Sequence, residues 1–88
     1  SYYTLEQEER TEFILMTFLF VKDVRLSYIE EKLEITRATL KKDIDVLNES
    51  LKKYSLKLEA QKNRFSIVGN EKKLRHLKAL KYLEYSNV

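Results

Sequence analysis

Cysteine and proline are absent from this 88-residue chain, and glycine and histidine occur once each. Without cysteine there is neither a disulfide framework nor a thiolate metal site. His76 stands alone, so no His/Cys cluster exists to hold a transition metal or run nucleophilic catalysis. Carboxylates are plentiful, but most fall on water-facing sides of the predicted helices and no nucleophile–base pair is recognisable. An enzyme is therefore not expected, and no cofactor is implied. No apolar run approaches the roughly 20 residues of a membrane span. No signal peptide is visible, which makes the cytoplasm the default compartment. With so few helix breakers, the expectation is a compact, mostly helical fold. Eighty-eight residues suit one domain (1–88), with a modest core and little surplus stability. Ser1 in place of an initiator Met points to a fragment of a longer protein.

Charge is modest in sum and uneven in placement. The net charge is +3, but residues 1–35 carry four Lys/Arg against eight Asp/Glu, and residues 36–88 carry thirteen against six. An acidic front and a basic back suggest that the second half faces a polyanion.

Residues 26–51, LSYIEEKLEITRATLKKDIDVLNESL, read as two helices with almost nothing between them. Ser27 and Glu30 have capping-box spacing for the first, and Ile29 and Leu33 mark its buried side. Glu34 and Ile35 leave room only for a tight turn. Thr36 caps the second helix, where Ile35 and Leu40 form a hydrophobic staple. Leu40, Ile44, Leu47 and Leu51 then make one core stripe. With that stripe inward, Arg37, Ala38, Lys41 and Lys42 lie outward on the first turns. A short helix, a tight turn and a longer helix with a basic, small-residue N-terminal face make a helix-turn-helix. An ordinary αα-corner with a solvated charged face is the plainer reading of the same residues.

The flanks narrow the choice. Thr4 and Gln7 are placed to cap a first helix whose early turns carry Glu6, Glu8, Glu9 and Glu12 near the positive end of its dipole. Every residue of 13–21 but Thr17 is apolar, which covers the whole circumference. In so small a chain we expect Ile14, Phe18 and part of the Leu15/Leu19 side in the core. Some of Phe13, Met16 and Phe20 is then left for a neighbouring domain or second subunit. Residues 22–25 connect, with a short strand conceivable at 24–26. After the long helix the period changes to two: Leu56, Leu58 and Ala60 alternate with polar residues, Lys62-Asn63-Arg64 turn, and Phe65 and Ile67 resume. That is a β-hairpin closed by Gly69. Asn70 caps a last helix through Leu74, Leu77, Leu80 and Leu83, whose cations are scattered and read as solvated.

The order α-α-α-β-β-α defines a winged helix-turn-helix: mostly α with a small β-hairpin. Its chemistry suits double-stranded DNA, whose major groove admits a helix read from its early turns. Arg37 would take guanine bidentately, and Ala38 would let the backbone approach or touch a thymine methyl. Lys41 and Lys42 would reach phosphates or bases, and Thr36 and Thr39 would bond phosphates. A local bond to the backbone is the equal alternative for Thr39. Lys62, Asn63 and Arg64 sit at the wing tip, where the two cations would touch backbone or a minor groove, a solvated turn being the alternative.

LSYIEEKLEITRATLKKDI, the wing, and above all the continuation IVGNEKKLR resemble the helix-turn-helix domain of bacterial regulators related to Mga and to the BglG/MtlR group. The resemblance covers about residues 10–85. It implies a DNA-binding module of a transcription regulator, one of two in a longer protein, with residues 70–88 leading to the next domain. It also implies sugar-responsive phosphotransferase-system regulation domains elsewhere, phosphorylated on histidine; His76 matches no such site. The RNA-binding domain of BglG-type antiterminators is strand-rich and unlike this chain. The tyrosines do not gather on the strands as an RNA-stacking platform requires. The competing function is protein contact: a winged helix used for docking or dimerisation, favoured by the spare apolar residues of the first helix.

Overall fold

The computed structural model describes residues 5–61 and 64–87. Helix α1 spans Gln7–Phe20, α2 Leu26–Leu33 and α3 Arg37–Leu51. A 3-10 turn at Lys52–Tyr54 leads into strand β1 (Leu56–Gln61), which pairs with β2 (Arg64–Gly69) before the closing helix α4 (Glu71–Ser86). The order is that of a winged helix-turn-helix, with the β1–β2 hairpin as the wing.

Helix α1 starts with Glu6 as its N-cap, and Glu9 reaches back to accept the Glu6 amide at 3.0 Å. This reciprocal box of two glutamates takes the place of the expected Thr4–Gln7 cap; Thr4 lies outside the described residues. Ile14, Leu15 and Leu19 are buried, and so is Thr17, whose hydroxyl is satisfied by donating to the Phe13 carbonyl at 2.8 Å. Phe18, expected in the core, packs against it only partly buried, as does Phe13, while Phe20 is 47% exposed. A helix apolar all round thus buries one side and leaves another over.

The connector forms no strand. Leu26 opens α2 instead, with Arg25 as N-cap and no side-chain capping bond, so the expected Ser27–Glu30 box does not form. Leu26 packs against the core with buried Ile29 and Leu33. That i, i+3, i+7 series pulls residue 26 into the helix, so the helix starts two positions ahead of the expected start. The turn is as tight as expected: Glu34 is left-handed (φ 54°), and the Ile35 amide returns to the Glu30 carbonyl at 3.1 Å.

In α3, Thr36 is the N-cap, accepting the Thr39 amide at 3.2 Å. The stripe Leu40, Ile44, Leu47 and Leu51 is buried throughout. Leu56 and Leu58 add the inner face of the wing, but Ala60, expected to continue it, is exposed as the strand runs outward past the core. Asn48 clamps the wing to α3: its side chain accepts from the Leu58 amide at 2.8 Å and donates to the Leu58 carbonyl at 2.9 Å.

Wing closure depends on Gly69. It pairs with Leu56 at φ +132°, and a Cβ there would sit 2.2 Å from the Ser55 carbonyl oxygen. Gly69→Ala should therefore cost about 1–3 kcal/mol from backbone conformation alone, and more from the carbonyl contact. Urea unfolding measures it, and an unchanged midpoint would show that the closure has another solution. Beyond it, Asn70 caps α4 by accepting the Lys73 amide at 2.9 Å. Leu77 is buried and Leu74 partly so, but Leu80 and Leu83 are exposed. At roughly 100° per residue a three-residue spacing slips about 60° each step, so this leucine series winds off the core.

Candidate nucleic-acid interface

The buried stripe fixes the rotation of α3 and hence what its other side presents. Arg37, Ala38, Lys41 and Lys42 are exposed on the first two turns, beside the exposed cap Thr36. Farther along the same helix the exposed charges are Asp45 and Glu49. The sign therefore changes along the helix, and only its N-terminal half suits a polyanion. Thr39 is half buried; its hydroxyl oxygen accepts from the Thr36 hydroxyl at 3.1 Å, so both threonines are knit into the cap.

Arg64, the first residue of β2, is exposed and ion-paired with Asp23 of the α1–α2 connector. Lys62 and Asn63, the other two residues expected at the wing tip, lie outside the described residues. Between the wing and the start of α3 is an open cleft of about 700 Å³, onto which Arg25, Arg37 and Arg64 all face, with Asp23 among them. Of its three arginines, Arg25 makes no ion pair among the described residues.

Arg37 is not free either. Its Nε donates to Glu30 Oε2 at 2.5 Å and its Nη2 to Glu30 Oε1 at 3.3 Å, and its side chain remains 51% exposed. The Glu30 hydrogen bond raises the guanidinium pKa above its ordinary value, so Arg37 keeps its charge at any pH the fold survives.

Besides the Asp23–Arg64 pair, three supporting interactions escaped the sequence reading. Asp43 is fully buried on the α3 stripe side and accepts Arg10 Nε at 2.6 Å, Arg10 Nη2 at 3.0 Å and Gln7 Nε2 at 3.1 Å. Its place three residues after Leu40 and one before Ile44 put it on the buried face, a signal present in the spacing. Asn48, four after Ile44, carries the same signal. The Glu30–Arg37 pair crosses the turn at a separation of seven, which no helical spacing rule picks out. His76 is an exposed helix residue, as expected.

A buried three-helix core, a tight turn, a basic helix N-terminus and an adjacent wing together define a winged helix-turn-helix of the DNA-binding type. The sequence matches the family model of the Mga helix-turn-helix domain over residues 2–82, and the chain belongs to that family of DNA-binding domains. No curated protein and no solved structure matches it. Among the described residues no helix is long and apolar enough to cross a membrane.

Proposed function

We propose that this chain binds double-stranded DNA sequence-specifically as the winged helix-turn-helix module of a bacterial transcription regulator. The observation that carries it is the exposed quartet Arg37, Ala38, Lys41 and Lys42 on the turns of α3 that can enter a major groove. Arg37 reads a guanine; Lys41, Lys42 and the wing residues Lys62 and Arg64 meet phosphates, with Asn63 between them. Thr36 and Thr39 present the helix N-terminus to the backbone, and Ala38 keeps the approach close. The Mga/BglG-like, sugar-responsive context rests on the resemblance of GNEKKLR and the runs before it. Dimerisation is proposed for the intact protein only, and the half-exposed Phe20 of α1 is the observation that favours protein contact as a second reading.

The test is a selection on random duplex DNA at low salt with the intact protein, followed by titration of variants on the selected site. Arg37→Ala should relax preference at one position by about 1–3 kcal/mol. It should leave thermal stability nearly intact, since exposed ion pairs contribute only about 0–1 kcal/mol. Lys41→Ala and Lys42→Ala should each weaken binding evenly across sequences. If all three bind every duplex as the parent does, this face does not touch DNA.

A further inference from the structure

Glu30 places a carboxylate where the proposed interface needs positive charge. Its position is nevertheless well defined. The neighbouring Ile29 is fully buried, Leu40 of α3 is fully buried, and the turn between the helices has no slack, so carboxylate and guanidinium are both carried on rigid supports. The bonds run from Nε and Nη2 of Arg37, one edge of the guanidinium fork. The other edge, formed by Nη1 and the second Nη2 hydrogen, has no partner among the described residues. An arginine offers five N–H donors in a fixed plane, so one edge can be held while the other reaches the O6 and N7 of a guanine.

We propose that Glu30 is the positioning residue for base readout, holding Arg37 by its inner edge so that the outer edge meets guanine with its plane already set. The inference rests on the DNA-binding reading above and adds to it the origin of selectivity. A loose arginine must surrender rotamer freedom on binding and takes a phosphate as readily as a base. A held one has surrendered that freedom already. The negative charge beside it also weakens attraction to any phosphate, so Glu30 trades general affinity for discrimination.

The experiment is a double-mutant cycle on the intact protein, using the duplex recovered by selection and its three single-base replacements at the guanine. Glu30→Ala should lower discrimination at that base by roughly 2- to 12-fold, the cost of fixing one long side chain. Its binding to unrelated duplexes should be equal to the parent's or tighter. In an Arg37→Ala background the same change should leave discrimination untouched. Glu30→Gln, which keeps an acceptor for one of the two bonds, should fall between, and it replaces Glu30→Ala if that variant does not melt cooperatively. If Glu30→Ala or Glu30→Gln discriminates as the parent does while Arg37→Ala does not, the positioning role is overturned and the DNA reading stands. If Arg37→Ala itself discriminates as the parent does, or the parent binds no duplex, the readout by Arg37 fails and takes this role with it.

Discussion

Asp43→Ala should lower the free energy of unfolding by about 3–5 kcal/mol, the usual consequence of breaking a buried ion pair from one side. The carboxylate is completely enclosed and the Arg10 side chain is 15% exposed, so the alanine variant strands a guanidinium with little access to water. Arg10 cannot escape by losing its proton, because a guanidinium stays protonated in proteins even without a carboxylate partner. Among the described residues it keeps one hydrogen bond, from Nη1 to the Leu5 carbonyl at 2.8 Å. Against the roughly 4–13 kcal/mol expected for a domain of this size, that loss approaches unfolding. The pair also ties α1 to α3, so the recognition helix should lose its fixed pose before it loses its helicity. Replacing both partners with apolar residues, as in Arg10→Met with Asp43→Leu, should recover most of the loss, since a well-packed apolar pair often equals a buried ionic one. Urea unfolding of the three proteins decides it. An Asp43→Ala midpoint equal to the parent's would mean the pair contributes nothing.

Asp43 also marks where sequence reasoning stops. Leu40, Ile44, Leu47 and Leu51 were legible because apolar side chains at helical spacing have one low-energy place to go. Thr36 was legible because a threonine before such a stripe satisfies an amide that nothing else reaches. The alternation at Leu56 and Leu58 was enough to locate the wing. A polar residue on the stripe side is different: spacing puts Asp43 on the buried face, but what satisfies it there is a partner 33 positions away in the chain, and pattern carries no information about that partner. Ser27 failed for a related reason. It has the side chain of a good cap, but burying Leu26 against the core outweighed one capping bond and moved the helix start. The candidate interface was legible as a set of outward residues on α3. Its electrostatics were not, because Glu30 and Asp23 reach Arg37 and Arg64 through tertiary geometry alone.

Affinity for any duplex should fall by about 150-fold when salt is raised from about 50 to about 200 mM, if Lys41, Lys42, Lys62 and Arg64 each neutralise one phosphate. The expected slope of log K against log salt is then about −3.6, from roughly 0.9 counterion released per contact. That change is worth about 3 kcal/mol, as much as the strongest single base contact supplies. The slope separates the two functional readings directly. An apolar docking surface built on α1, with Phe20 at its centre, buries no phosphate and releases no condensed counterions, so its affinity would vary little over the same range. Single variants refine the count: Lys41→Ala, Lys42→Ala and Arg64→Ala should each flatten the slope by about 1. Arg64 tests the wing most sharply, because Asp23 already holds it in the free protein. If a phosphate replaces Asp23 as its partner, Asp23→Ala should tighten binding to all duplexes without steepening the slope. The measurement is a titration of a fluorescent duplex at four salt concentrations with the parent and each variant. A slope near zero in the parent would remove the phosphate contacts and leave protein contact as the function of this fold.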